Sequence, residues 1–179
     1  RLEVVDATGS TNADLRGNAG DADAWPHLSV LLTRHQTAGR GRLDRQWVAP
    51  AGSALAVSVL LRDLPAEPVA RGWIPLAAGA AMAEAVAAQL PEATSFAVQG
   101  IVVDEDELLC SYASVLDSHL RALAAADDAT ASGLHAAVTA RCATVGQAVR
   151  VSLPGGSLLE GVAVGIDDEG RLLVAAEGT

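Results

Sequence analysis

Leu28-Ser29-Val30-Leu31-Leu32-Thr33 is followed, after Arg34 and His35, by Gln36-Thr37-Ala38-Gly39-Arg40-Gly41-Arg42-Leu43-Asp44-Arg45-Gln46-Trp47. The first segment has the length and the apolar run of a buried strand. The second has neither: Arg40, Arg42 and Arg45 are interleaved with Gly39 and Gly41 and stop at Trp47. After the turn residues Pro50-Ala51-Gly52, the segment Ser53 to Arg62 returns as a second strand. It places Ala54, Ala56, Ser58 and Leu60 on one face and Leu55, Val57, Val59 and Leu61 on the other. Both faces are apolar or small, which predicts a central position in a sheet. A basic, glycine-containing loop thus hangs between two buried strands. Glycine lets backbone come close to a ligand, and guanidinium groups offer paired donors to phosphate or carboxylate oxygens. The loop has the chemistry of an anion clamp, and equally that of a solvated basic connection.

Upstream, Leu2, Val4 and Val5 predict a short opening strand, broken by Asp6-Ala7-Thr8-Gly9. Ser10-Thr11-Asn12 then precedes Ala13-Asp14-Leu15, a helix cap by residue type. The same three side chains beside exposed helix N–H groups also suit a polar ring or an anion. Gly17, Asn18, Gly20 and Asp21 end that helix early and lead to Trp25-Pro26.

Downstream, Asp63 to Pro68 reads as a connection and Trp73 to Leu90 as a long helix with Pro75 near its start and an alanine-rich face. Leu90 to Phe96 reads as a loop and Val98 to Val103 as an apolar run. Asp104-Glu105-Asp106-Glu107 gives the acidic first turn that the helix dipole favours, leading a helix through Ala125. Asp127 to Ser132 links it to a short helix, Leu134 to Arg141, on which His135 has no partner evident in the sequence. From Val145 the style changes to three alternating strands, Gln147 to Leu153, Leu159 to Ile166 and Arg171 to Ala175, joined by Pro154-Gly155-Gly156 and Asp167-Asp168-Glu169-Gly170. So short a β-module needs support from the main domain or from further chain.

The totals narrow the function classes. Of 179 residues, 50% are hydrophobic and 19% charged, which requires a folded core. The net charge of −10 argues against nucleic acid or an anionic membrane as partner, since phosphate contacts need a positive face. All twelve basic residues are arginine, so no lysine-based chemistry is available. Cys110 and Cys142 lack metal-ligand spacing and are expected to be reduced, buried thiols, with no metal site. The apolar run Leu76 to Leu90 is too short for a membrane span and carries Glu84, and no signal peptide is recognisable, which predicts a cytoplasmic protein.

Taken in order, Gly-Ser-Thr-Asn after a strand, Gln-Thr-Ala-Gly-Arg-Gly-Arg ending at a tryptophan, Ala-Pro-Ala-Gly, a strand with Ser58 and an Ala/Gly-rich helix resemble the biotin protein ligases. The tail, from Val145-Gly146-Gln147 to Gly165-Ile166-Asp167-Asp168-Glu169-Gly170-Arg171-Leu172, resembles that family's C-terminal module. The resemblance covers Asp6 to Leu90 and Thr139 to Gly178, and more weakly Ala93 to Leu123.

The resemblance implies an α+β fold: a mixed sheet flanked by helices, of the class II synthetase-like biotin/lipoate ligase kind, over residues 1–140. A small SH3-like β-barrel over 141–179 would follow it. It implies an ATP-dependent ligase that forms biotinyl-5′-AMP from biotin and Mg-ATP, then passes biotin to a lysine of a carboxylase biotin carrier domain. By the same match, Ser10, Thr11, Asn12, Gln36, Gly39, Arg40, Gly41 and Arg42 would bind biotin. Arg40 and Arg42 would be catalytic, stabilising the charge that builds at phosphorus, and with Trp47 they would hold ATP and the adenylate. A homodimer formed through sheet edges is compatible with this class. Because the sequence opens at the strand of the catalytic domain, the expectation is a ligase without an N-terminal helix-turn-helix repressor domain. Lipoate ligases share the fold but not the Gly-Arg-Gly-Arg loop.

One departure is large. The family's central block, resembling Lys-Trp-Pro-Asn-Asp, then Lys-x-x-Gly-Ile-Leu, then Gly-x-Gly-x-Asn, has no counterpart here and would fall near Glu92 and Ala93. Its lysine contacts biotin and phosphate, and this chain has none. Either a segment is omitted at that point, or the chain is a catalytically inactive, biotin-ligase-like binding module. A smaller departure is Leu43-Asp44 within the clamp, where Asp44 is placed to pair with Arg42 or Arg45.

Overall fold

Strand β1 (Leu2–Val4) lies parallel to β2 (Ser29–Thr33), with Leu2 opposite Val30 and Val4 opposite Leu32. The computed structural model describes residues 1–41, 45–90 and 103–176. Helix α1 (Thr11–Asn18) connects the two strands and packs on the sheet, burying Leu15 against Leu31 and Trp25. The loop that precedes β2 is tied down by Arg62, whose guanidinium donates to the carbonyls of Trp25 and Ala19, each at 2.8 Å.

The arginine stretch is not a plain loop. Gly39–Arg40 (β3) and Gln46–Trp47 (β4) pair antiparallel, Gly39 opposite Trp47 and Arg40 opposite Gln46. Arg42, Leu43 and Asp44 lie outside the described residues, and so does the pairing expected of Asp44. The returning strand β5 (Ala56–Leu60) runs antiparallel to β2, with Ser58 opposite Leu31. The order β1-β2-β5 makes this a mixed sheet, as expected, but its centre is β2. Among the described residues β5 has one strand neighbour, β2, and α1 covers one of its faces. These elements form one compact unit, Arg1–Asp63.

The second unit, Leu64–Thr179, begins with a short helix α2 (Pro68–Gly72) within what reads as connecting chain, followed by α3 (Ile74–Gln89). Ala77, Ala81 and Ala85 of α3 are fully buried, and their small side chains let α4 (Glu105–Ala126) approach with Leu116, Leu120 and Leu123. Asp104 caps α4 by accepting from the Glu107 N–H at 3.0 Å, so the acidic run is a helix start. Helix α5 (Leu134–Arg141) buries Leu134 and Val138. The expected run at 98–103 falls almost wholly outside the described residues, as does the expected loop through Phe96 beyond Leu90. Cys142 is half-buried and Cys110 exposed, which corrects the expectation of two buried thiols: Cys110 sits on the outer face of α4.

The tail forms β6 (Ala148–Ser152), β7 (Leu158–Ile166) and β8 (Leu172–Ala176), antiparallel in that order with a register shift between Ala163 and Gly165. This is an open sheet, and the expected SH3-like barrel is not formed. Closure needs the last strand to return to the first, and three strands leave β6 and β8 as separate edges. What stabilises the sheet is a tryptophan. Trp73, fully buried, donates from Nε1 to the Asp168 carbonyl at 2.9 Å. Gly170 in the same turn has φ +80, and a Cβ there would lie 2.8 Å from Leu76 Cδ1, so the turn must be glycine to seat on α3. His135 finds its partners here, Nε2 donating to the Ile166 carbonyl at 2.8 Å with its ring 5.4 Å from that of Trp73.

Among the described residues no helix is long and apolar enough to cross a membrane.

Candidate active site

Chain geometry brings the two sequence motifs of the first unit together. Beyond β2 the backbone keeps pairing with the segment after β1: Thr8 N–H donates to His35 O at 3.1 Å, Thr37 N–H to Thr8 O at 2.9 Å and Ala38 N–H to Gly9 O at 2.8 Å. This extension carries Gln36 beneath the start of α1. The Thr11 N–H has no acceptor inside its helix, and it donates to Gln36 Oε1 at 2.9 Å. The Thr11 hydroxyl lies 3.1 Å from the same oxygen. Ser10 caps the helix more loosely, Oγ accepting from the Ala13 N–H at 3.4 Å. The Thr8 hydroxyl donates to the Asp14 carboxylate, closing the first turn from outside.

Gln36, Gly39 and Trp47 are packed to contact. A Cβ on Gly39 would stand 2.5 Å from Gln36 Nε2, 2.6 Å from Trp47 Cε3 and 2.7 Å from Trp47 O. Gly39 is therefore required by close approach, and its φ is not in the left-handed region.

The result is a cleft of about 270 Å³ in which Ser10, Thr11 and Asn12 face Gln36, Arg40, Gly41 and Trp47 across a floor from Leu55 to Ser58. A second, larger hollow on the outer side of α1 shares Ser10, Asn12, Arg40 and Gly41 and adds Asp14 and Arg16. Arg40 thus stands on the rim of both. It is exposed, and among the described residues no carboxylate is paired with it. The cleft offers neutral donors and acceptors inside and a guanidinium at its mouth. That arrangement suits a ligand with a polar uncharged ring at one end and an anion at the other.

Of the residues singled out in the sequence, the structure gathers Ser10, Thr11, Asn12, Gln36, Arg40, Gly41 and Trp47 around one cleft, with Gly39 directly behind it. Arg42 lies outside the described residues. Ser58 was not singled out as a site residue. It is almost fully buried, its Oγ 2.8 Å from Thr11 Oγ1 and 2.9 Å from Asn12 Oδ1. A serine in the middle of the apolar run Ala54 to Leu61 is the signal that could have found it. Among the described residues no three His, Cys, Asp or Glu side chains are grouped to hold a metal ion.

Residues 7–104 match the model of the Biotin/lipoate A/B protein ligase family, and the chain belongs to that family. Residues 144–179 match the Biotin protein ligase C terminal domain, which places the chain with the biotin protein ligases. The Biotin--[acetyl-CoA-carboxylase] ligase of Mycobacterium tuberculosis is 32% identical over 229 positions, covering 99% of this chain and 84% of that protein. That alignment is longer than the 179 residues present here, so the relative carries residues without a counterpart in this chain.

Solved structures agree on the fold. The biotin protein ligase of Aquifex aeolicus in complex with biotin and ATP superposes with a TM-score of 0.75 at 17% identity, covering 99% of this chain and 92% of that one. The biotin acetyl coenzyme A carboxylase synthetase of Helicobacter pylori, with bound biotinylated ATP, gives 0.59 at 14% identity over 98% and 97%.

Proposed function

We propose that this chain is an ATP-dependent biotin protein ligase. The observation that carries the reading is the single cleft in which Ser10, Thr11, Asn12 and Gln36 face Arg40 and Trp47, in a chain 32% identical to a biotin ligase over nearly its whole length.

In the first step the biotin carboxylate attacks the α-phosphorus of Mg-ATP. A carboxylate–phosphorus bond forms, the bond to pyrophosphate breaks, and biotinyl-5′-AMP results. Two anions must meet, so cations at the cleft mouth lower their repulsion and stabilise the charge that builds at phosphorus. Arg40 takes that role, with Arg42 beside it in sequence. Magnesium enters as the ATP chelate. Thr11, Asn12, Ser10 and Gln36 hold the ureido ring, and Trp47 packs against biotin and the adenylate. In the second step the neutral amine of a carrier-domain lysine attacks the acyl carbon and AMP leaves. Mg-ATP as substrate and the free thiols of Cys110 and Cys142 fit a cytoplasmic setting.

The chain's own lack of lysine favours one second reading, a biotin-binding module that does not ligate. A single assay separates the two. Protein, biotin, Mg-ATP and a biotin carrier domain should raise the carrier's mass by one biotinyl group, and replacing the carrier's acceptor lysine should abolish the gain. Biotin binding with no transfer would sink the ligase reading and leave the binding module.

A further inference from the structure

Four side chains that line the cleft form a hydrogen-bonded row: Gln36, Thr11, Ser58 and Asn12. Three close contacts join them, Gln36 Oε1 to Thr11 Oγ1 at 3.1 Å, Thr11 Oγ1 to Ser58 Oγ at 2.8 Å, and Ser58 Oγ to the nearer amide atom of Asn12 at 2.9 Å. Each contact needs a proton between its two atoms, because bare lone pairs at such distances repel. The two hydroxyls supply two protons. The third has to come from an amide.

Gln36 is not its source. The Thr11 N–H, which can only donate, points at the same Gln36 atom at 2.9 Å, so that atom is the carbonyl oxygen. The Thr11 hydroxyl proton is therefore directed to Gln36, and the Ser58 proton to Thr11. Ser58 Oγ then has only lone pairs left for Asn12. An amide's oxygen and nitrogen are told apart by the bonds around them. The atom 2.9 Å from Ser58 must be the nitrogen, with Asn12 turned half a rotation about its last bond from the orientation in which Oδ1 meets the serine.

We infer that Ser58 is a positioning residue which orients the Asn12 amide, taking a proton from Nδ2 so that Oδ1 is turned to the ligand as an acceptor. The inference rests on the biotin-ligase reading for the ligand and deepens it. At the far end of the row, Gln36 is fixed in the opposite sense: Thr11 occupies Oε1, and Nε2, close to Gly39, is the group a residue lining the cleft has left to donate. The row therefore has polarity: an acceptor at Asn12 and a donor at Gln36. A cyclic urea supplies the complement, N–H donors and a carbonyl acceptor on one rigid ring. A ring without N–H groups leaves Asn12 Oδ1 unpaired, so the device discriminates by hydrogen-bond direction and not by size.

Two measurements on the full chain test this. In the ligand-free protein with labelled asparagine, the Asn12 side-chain amide protons should give strong through-space NMR cross-peaks to the Ser58 β-protons. Weak or absent cross-peaks overturn the inference whatever the protein binds. In titrations with biotin, Ser58→Ala should raise Kd by about threefold to tenfold, the worth of one net hydrogen bond, while the KM for ATP and kcat at saturating biotin hold. Ser58→Cys keeps the shape with only a weak acceptor for the Asn12 amide and should fall with the alanine variant. An unchanged biotin Kd in both variants overturns the inference. Wild-type protein that binds no biotin overturns the proposed function instead, and the cross-peaks still decide the orientation of Asn12.

Discussion

Gln36 Oε1 accepts the backbone N–H of Thr11 at 2.9 Å, so a side chain from the basic hairpin segment caps the helix that carries the Ser-Thr-Asn motif. The two halves of the site are thereby locked to each other before any ligand arrives. This preorganisation lets a small cleft bind a neutral ring without a large ordering cost.

Gln36→Glu tests the donor side of that lock. The carboxylate still accepts from Thr11 but brings no N–H to the cleft. Biotin affinity should fall about tenfold, as expected for a half-buried donor replaced by a charged acceptor. Calorimetric titration measures it, and circular dichroism should show the fold unchanged.

Gly39→Ala places a methyl group within 2.7 Å of Gln36 Nε2, Trp47 Cε3 and Trp47 O, two of them parts of the hairpin partner. Overpacking of this kind costs about 1–3 kcal/mol. Chemical denaturation should show that loss, together with weaker biotin binding. An alanine variant of wild-type stability and affinity would mean that the hairpin does not close on Gly39.

The clamp predicts a difference between two ligands. Arg40→Ala should weaken a non-hydrolysable biotinyl-adenylate analogue by about tenfold or more, the value of a charge-assisted contact, and biotin itself much less. Arg42→Ala should behave alike. Equal weakening of both ligands would place the guanidinium at the ring and not at the phosphate.

In the second unit, Trp73→Phe keeps an aromatic ring but removes the donor to Asp168 O and part of a fully buried indole, and should cost more than the roughly 1 kcal/mol of the hydrogen bond alone. Trp73→Ala empties a fully buried site and should cost about 3–5 kcal/mol. Thermal melts compare the two.

Asp167 gives a pH signature. The Arg171 backbone N–H and guanidinium, with the Glu169 N–H, hold its carboxyl below the usual carboxylate range. A folded-state pKa below the unfolded one adds stability that is present above the unfolded pKa of about 3.9 and is lost as pH falls through the folded value. Asp167→Asn should therefore lower Tm at pH 7, and the gap to wild type should close in acid.

Much of this was legible in the residues. Ser10, the acidic start of α4 and the Gly170 turn each carry local chemistry that fixes a local conformation, so α1, α4 and the tail strands were found with their ends nearly right. What failed was non-local. The apolar faces of β5 do not say which side is covered by a strand and which by α1, and among the described residues the strand side is β2. Three alternating strands carry no information on closure, and the barrel that the resemblance implied is an open sheet. In the site, the helix cap was recognised and the arginine stretch was read as a loop where it pairs as a hairpin, while Ser58 acts through partners distant in the chain, and only the fold brings them within 3 Å.

The most direct test of the central claim is formation of the adenylate. The protein is incubated with biotin and ATP labelled at the α-phosphate, in the presence of magnesium, and the products are separated and weighed. The account predicts biotin-dependent appearance of biotinyl-5′-AMP with release of one pyrophosphate. Bound biotin with unreacted ATP would contradict it, because the cleft would then hold the acid without activating it.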